Sequence, residues 1–143
     1  MRMTFYAKKQ EVKEKQFCIV DAADQILGRL AARVARILMG KDRTGYTPHV
    51  DTGRGVIVIN TAKVRVTGNK LKAKVYTAFS GYPGGLTKRT LERVMNEDPT
   101  FAFKHAVKGM LPKNNMGKKM ITHLLLYPGA DHPHKAQKPA PVK

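Results

Sequence analysis

Lysine and arginine side chains are spaced along this sequence so that several of them can bind phosphate groups together. Arg29, Arg33 and Arg36 are separated by four and three residues, which places them on one face of a predicted helix. No acidic residue lies between them, so they lack a local partner of opposite charge. A solvated helix face is the alternative interpretation, but three uninterrupted arginines favour phosphate binding.

Two longer stretches of the chain also contain no acidic residue. The first lies between Asp51 and Glu92 and the second between Asp98 and Asp131. Within the first, apolar and basic residues alternate on both sides of a Gly68-Asn69 turn, which predicts a basic β-hairpin. Like charges that face each other destabilise a sheet, so this hairpin needs an anionic ligand unless its face is simply solvated. The pairs opposed in the predicted register are Arg65 with Lys72 and Lys63 with Lys74.

Residues suited to catalysis or metal binding are few. Tyr46, His49 and Asp51 share one glycine-rich loop, where acid/base chemistry is conceivable but a structural role is favoured, because catalytic groups must be rigidly oriented. His132 and His134 lack a third nearby ligand, so we predict no metal site. The sequence contains no phosphate-binding P-loop motif and no dinucleotide-binding glycine motif, so we predict no cofactor.

Composition points to a polyanionic partner. The chain has 143 residues, with 27 Lys and Arg against 10 Asp and Glu, giving a net charge of +17. A hydrophobic fraction of 42% is ordinary for a globular domain, so the charge belongs on the outside of a real core. Nucleic acid is the first candidate partner and an anionic membrane surface the second. The apolar runs are too short to span a bilayer, and the single Cys18 favours a reducing compartment.

The elements that must position these charges follow an α/β pattern. An apolar strand begins at Phe17, an amphipathic helix capped by Asp24 extends to Met39, and a continuously apolar strand follows at 56–59. This order predicts a single three-layer α/β/α domain with a mostly parallel sheet. Thr87 is predicted to cap a later helix that ends at Asp98-Pro99, and 120–127 reads as helix, strand or one followed by the other. We divide the chain into an N-terminal arm (1–16), a core (17–127) and a basic Pro- and His-rich tail (128–143), with the two terminal segments extended.

Several motifs, in one order, resemble the universal L-thirteen family of large-subunit ribosomal proteins. The resemblance covers the chain from about Phe17 to its end. It departs from the family after Pro99, where many members carry a basic residue and this chain has Thr100-Phe101-Ala102. The matching stretches are Gly28-Arg29-Leu30-Ala31, Tyr46-Thr47-Pro48-His49-Val50-Asp51-Thr52-Gly53, Val66-Thr67-Gly68-Asn69-Lys70, Lys108-Gly109-Met110-Leu111-Pro112-Lys113 with the apolar run after it, and His134-Lys135-Ala136-Gln137-Lys138-Pro139.

The resemblance implies a non-catalytic protein that binds large-subunit ribosomal RNA, takes part in early subunit assembly and has ribosomal proteins as neighbours. It further implies a ribosome of bacterial or organellar type. We also predict a cytoplasmic location in the ribosome, no membrane association and no obligate homo-oligomer. Enzyme action on an anionic or nucleotide substrate and a free DNA-binding architectural role are the alternatives. The predicted RNA-contacting residues are Arg29, Arg33, Arg36, Lys41, Arg43, Tyr46, His49, Arg54, Lys63, Arg65, Lys70, Lys72, Lys74, Tyr82, Lys108, Lys113, Lys118, Lys119, His132, His134 and Lys135.

Overall fold

A parallel sheet forms the centre of the molecule in the computed structural model, which describes residues 6–7 and 15–142. Most of the predicted arm 1–16 therefore lies outside the described residues, as does Lys143. Four strands pair in the order β5-β2-β1-β6, all parallel, and two form a separate antiparallel hairpin, β3-β4. The strands of the described chain are β1 (Phe17–Asp21), β2 (Gly55–Ile59), β3 (Val75–Phe79), β4 (Leu86–Thr90), β5 (Leu124–Leu126) and β6 (Ala140–Pro141).

Helices connect these strands. Because β1, β2 and β5 succeed one another in one direction across the sheet, right-handed crossovers place the connecting helices on the same face. The first, fourth and fifth helices do contact one another. The α-helices of the described residues are α1 (Leu27–Met39), α2 (Lys70–Ala73), α3 (Leu91–Glu97), α4 (Pro99–Met110) and α5 (Asn115–Thr122). The predicted α/β fold with a parallel sheet is confirmed.

The core lies between the sheet and these helices. Cys18 and Val20 of β1 align with Val56 and Val58 of β2, and all four side chains are almost fully buried. Phe103 of α4 is the largest of the fully buried side chains. Burial also raises the pKa of the Cys18 thiol above its ordinary value, so this cysteine acts as a small apolar core residue.

Ile57 lies on the other face of the sheet, and the end of the chain returns to the free edge of β1. Ile57 alternates with Val56 and Val58, is fully buried, and lies outside the helix-facing core cluster. The chain from β5 to β6 runs back across the sheet and includes a short 3-10 helix, His134–Gln137. Its last strand closes the edge of β1, where the Val142 N–H donates to the Ile19 carbonyl at 3.0 Å.

Polar side chains set the starts of three helices, α3, α4 and α5, and the cap of α5 is Asn114, whose side chain accepts from the Gly117 N–H at 2.9 Å. The Thr90 hydroxyl accepts from the Arg93 N–H at 3.4 Å and caps α3, so the predicted cap at Thr87 is wrong. Asp98 caps α4 through the Thr100 and Phe101 N–H groups, with Pro99 in the first turn, as the predicted Asp98-Pro99 boundary requires. Residues 115–126 form a helix that is followed directly by a strand, one of the predicted alternatives.

The start of α1 differs from the prediction. Asp24 adopts a left-handed conformation (φ 57°) and does not cap the helix, which begins at Leu27. The Leu27 N–H instead donates to the carbonyl of Arg65 at 3.0 Å. A long-range backbone contact therefore replaces the local side-chain cap that the sequence suggested.

The predicted 63–75 hairpin is wrong. Residues Thr61–Lys63 form a 3-10 helix, Arg65 bridges to Ile26 beside α1, and Lys70–Ala73 form α2. Arg65 therefore does not face Lys72, nor does Lys63 face Lys74. The hairpin of this protein lies further along the chain, where Tyr76 is opposite Arg89 and Thr77 is opposite Lys88.

Candidate nucleic-acid interface

Four arginines meet in one hollow beside α1, which we call the arginine hollow. Arg29, Arg33 and Arg36 reach it from the exposed face of α1, and Arg54 from the segment before β2. The hollow has a volume of about 420 Å³ and is also lined by Val142 of the tail. The predicted helical face is therefore real, and the long loop after α1 supplies its fourth guanidinium.

One acid lies in the arginine hollow. The Asp42 carboxylate pairs with the Arg54 guanidinium, and no other lining residue is acidic. Three guanidiniums thus remain for an anion. Guanidinium groups bind phosphate through paired N–H donors, so this hollow suits a phosphate backbone.

A larger depression, which we call the α2 groove, lies between α2, the first turn of α1 and the last turns of α4. Its volume is about 780 Å³, and its lining is mainly apolar. Arg65, Lys70 and Lys74 stand among the lining residues, and none of those residues is acidic. Lys63 and Lys72, which the sequence also predicted as contacts, are exposed but do not line the groove.

The third basic surface, which we call the lysine hollow, lies between the end of α4 and the start of α5. Lys108, Lys113 and Lys118 line a depression of about 250 Å³, while Lys119 is exposed outside it. Gly117 packs directly against the backbone of Pro112, since an added Cβ would be 1.9 Å from the Pro112 carbonyl oxygen. The first turn of α5 contains no acid, so its free N–H groups add to the positive potential.

The long loop 40–54 holds its predicted contact residues by weak interactions. The Lys41 ammonium lies 5.8 Å from the centre of the Tyr46 ring, and the His49 ring is 6.4 Å from that of Tyr6. Arg43 donates to the Gln16 side chain at 3.0 Å. These side chains stay exposed and are available to a ligand.

Asp51, one of the two acids of that loop, is already engaged. Its carboxylate lies 2.5 Å from the Lys15 ammonium and 3.5 Å from the imidazole of His123. Burial, together with the neighbouring Lys15 charge, lowers the pKa of His123 although Asp51 opposes the shift. Such an ion-paired arrangement fits the structural role that the sequence favoured over acid/base catalysis.

The tail places its histidines together. The rings of His132 and His134 are stacked with centres 6.4 Å apart, and His134 shares a 2.6 Å hydrogen bond with the Tyr127 hydroxyl. Lys135 is exposed beside them. Within residues 6–7 and 15–142, no group of three or more His, Cys, Asp or Glu side chains could hold a metal ion.

The hairpin carries residues that sequence reasoning missed as well as one that it found. Tyr82 lies in the turn of the hairpin with 76% of its surface exposed. Lys88 and Arg89 on β4 were missed because that segment was assigned to a helix. The Arg89 guanidinium lies 5.6 Å from the Phe101 ring centre and 3.5 Å from the Glu97 carboxylate.

His105 was also missed and lies in the α2 groove. The four-residue spacing of Phe101 and His105 on a helix was the available signal. Their rings are stacked, with centres 5.9 Å apart and planes 28° apart, and Tyr76 packs edge-on against His105 at 5.1 Å. An aromatic side chain is thereby fixed at the edge of a basic groove.

These observations define a class. A small α/β domain whose three basic hollows contain almost no acidic residue is typical of proteins that are embedded in RNA. In the part of the chain that the structure describes, no helix has the length and apolar character required to cross a membrane.

Comparison with known proteins identifies the family. Residues 15–133 match the family model described as ribosomal protein L13, and the chain belongs to this family. Three bacterial relatives are named large ribosomal subunit protein uL13. That of Brevibacillus brevis is 55% identical over 139 residues, covering 97% of this chain and 95% of its own. That of Laribacter hongkongensis is 54% identical over 136 residues (95% of each chain), and that of Thermoanaerobacter sp. strain X514 is 52% identical over 136 residues (95% and 94%). The family predicted from the motifs, in its bacterial form, is confirmed.

Proposed function

We propose that this protein is a structural constituent of the large subunit of a bacterial-type ribosome, where it binds ribosomal RNA and supports early subunit assembly. The observation that carries the proposal is the set of three acid-poor basic surfaces on one packed domain. Cations held on a packed core fix the position of the phosphates they neutralise, so the protein orients RNA segments relative to one another. The name of the relatives, large ribosomal subunit protein uL13, supports the same subunit.

The predicted contact residues keep this role in the proposal. We infer that the arginine hollow and the lysine hollow bind phosphates, while the exposed loop, the hairpin turn and the tail add contacts around them. Neighbouring ribosomal proteins are the further partners, the location is the cytoplasm, and the protein acts as a single copy without membrane association. Its role is architectural rather than enzymatic.

Sedimentation of a cell lysate tests this proposal. The full chain, carrying a small tag, is expected in the large-subunit and whole-ribosome fractions of a gradient that preserves ribosomes. Recovery mainly in the light, free-protein fractions would refute the proposal, because a ribosomal constituent has no reason to remain unbound there.

The DNA-binding alternative is tested by direct binding. Purified full chain is titrated with deproteinised bacterial large-subunit ribosomal RNA and, separately, with duplex DNA of matched total phosphate. We expect tighter binding to the RNA at every salt concentration, because shaped RNA engages several basic surfaces at once. Equal affinity for both would favour the free architectural role.

A further inference from the structure

The α2 groove combines an apolar floor with a basic edge, and it is the largest of the three hollows described above. Leu27, Ala73, Ala106 and Met110 contribute apolar surface, and Met110 leaves 42% of its own surface exposed to the solvent. A phosphate backbone alone gains nothing from such a floor. The occupant must therefore carry a flat or apolar body as well as negative charge.

Charge narrows the occupant further. Arg65, Lys70 and Lys74 are the lysine and arginine residues of the lining, and none of them has a carboxylate partner among the ion pairs of the described residues. Lys74 instead lies 5.3 Å from the centre of the Tyr76 ring, close to the aromatic cluster. The negative group of the occupant thus belongs on the α2 side of the groove.

An aromatic surface is prepared beside these cations. One side of His105 is stacked on Phe101, and Tyr76 holds it edge-on, yet the His105 residue remains exposed. Both of its supports are themselves well buried or partly buried. A ring fixed in this way can stack on a flat ligand with little loss of side-chain freedom.

We propose that the α2 groove holds one unpaired nucleotide of the ribosomal RNA, with the base on the apolar floor against His105 and its phosphate on Lys70 and Lys74. This inference rests on the proposed function and names a subsite within it. The volume of about 780 Å³ is within the range of pockets for small ligands, whereas a duplex is too wide to enter.

Gly109 offers a clean way to block the groove. A Cβ added at Gly109 meets no atom within 4 Å, so a larger side chain occupies open space rather than the protein's own core. We expect Gly109→Leu to lower the affinity for deproteinised large-subunit ribosomal RNA about tenfold, the effect of losing one stacked base. Asn96→Leu, at an exposed position of α3 outside the three hollows, is the control and should bind as the unmodified protein does. A thermal melt of each variant shows that the fold is retained.

Salt dependence distinguishes base stacking in the groove from phosphate binding at its edge. His105→Ala should weaken binding while leaving the slope of log affinity against log salt unchanged, and His105→Phe should restore the affinity by restoring the ring. Lys70→Gln and Lys74→Gln should each weaken binding and reduce that slope by about 0.7, the value for one phosphate contact on a single strand. Unaltered binding by Gly109→Leu and His105→Ala would overturn the proposal.

Cross-linking identifies the occupant directly. A photoreactive benzophenone side chain is placed at position 110, and assembled large subunits are irradiated. We expect a cross-link from this side chain to one unpaired nucleotide. A cross-link to a ribosomal protein, or to base-paired RNA, would contradict the proposal while leaving the proposed function intact. If the unmodified chain neither binds the RNA nor sediments with the subunit, the proposed function itself fails and this inference with it.

Discussion

Tyr76 links the hairpin to the helices, and it does so mainly through its ring. Its side chain is 8% exposed and packs edge-on against Phe101 at 5.9 Å and against His105 at 5.1 Å. Burial raises the pKa of its hydroxyl, which has no hydrogen-bond partner among the residues that the structure describes. A buried hydroxyl without a partner costs stability, since its hydration is lost and nothing replaces it.

Tyr76→Phe is therefore expected to raise the free energy of unfolding by about 1 kcal/mol, because the ring contacts remain and the unpaired hydroxyl is removed. Urea denaturation followed by circular dichroism measures the change. Tyr82→Phe, at the exposed hairpin turn, is the control and should have no effect. A loss of stability in Tyr76→Phe would show that the hydroxyl has a partner in solution.

Asp98 gives a second residue-scale prediction, this time on pH. Hydrogen bonds from Thr100, with the N–H of Phe101, hold the pKa of Asp98 below its ordinary 3.8. Because the pKa of Asp98 is lower in the folded state than in the unfolded state, its cap contributes fully to the free energy of unfolding above the unfolded-state pKa. This contribution disappears as the pH falls through the folded-state pKa. Asp98→Ala should cost about 1 kcal/mol at neutral pH.

The control for this prediction is Asp98→Asn, which keeps a capping oxygen but cannot titrate. It should retain most of the stability at neutral pH and lose less than the unmodified protein as the pH falls from about 5 to about 2. Parallel acid dependences of the two proteins, measured by thermal melting, would mean that Asp98 does not contribute to acid unfolding.

At the scale of elements, the sequence predicted the structure correctly where a residue pattern fits only one type of secondary structure. The apolar runs of β1 and β2 and the periodic face of α1 correspond to single structures, and the parallel sheet followed from them. It failed for 63–75, where basic and apolar residues alternate over too few residues to separate a strand from a short helix. The carbonyl of Arg65 pairs with the start of α1, a long-range contact that no local pattern shows.

The candidate site was predictable to a similar extent. The arginine face of α1 and the lysines around Pro112 were readable because helical spacing and acid-free stretches are local properties. The α2 groove was not, since it is assembled from segments as distant as Gly28, Arg65 and His105. Only the folded chain brings a stacked aromatic ring beside those cations.

Gly117 allows an element-scale prediction about the lysine hollow. Gly117→Ala places a Cβ 1.9 Å from the Pro112 carbonyl oxygen, so the α4–α5 connection has to shift. We expect a loss of stability of about 2 kcal/mol, in the range of overpacking substitutions, together with weaker RNA binding. The midpoint and slope of denaturant unfolding measure the first effect.

Gly109→Ala is the counterpart within α4. Open space surrounds its Cβ position, so the better helix propensity of alanine should raise stability by about 0.5–1 kcal/mol. If both glycine variants changed stability in the same direction, packing at Pro112 would not be the reason that position 117 is a glycine.

At the scale of the whole molecule, the net charge of +17 acts against the fold that carries it. The ion pairs of the described residues engage few of the cations, which leaves most of them to repel one another. Mutual repulsion destabilises a compact state and is reduced by counterions or by a bound polyanion. We therefore expect a bound polyanion to stabilise the isolated protein.

Raising the sodium chloride concentration from about 0.05 M to about 0.5 M should therefore increase the melting temperature of the isolated chain by several degrees, because the Debye length shortens. Saturating ribosomal RNA at low salt should increase it further. Sucrose at matched osmolality controls for general solvent effects. A melting temperature that is insensitive to salt would mean that the surface cations are too far apart to repel.

The pairing of β1 with β6 has a consequence for synthesis of the chain. β1 is among the first elements to emerge during translation, whereas Ala140 and Pro141, which cover its edge, are made after every other element of the sheet. Until then the nascent protein presents an unpaired strand edge of the kind that recruits other chains. During that interval, we expect a ribosome-associated chaperone, or immediate binding to RNA, to protect the nascent protein from pairing with other chains.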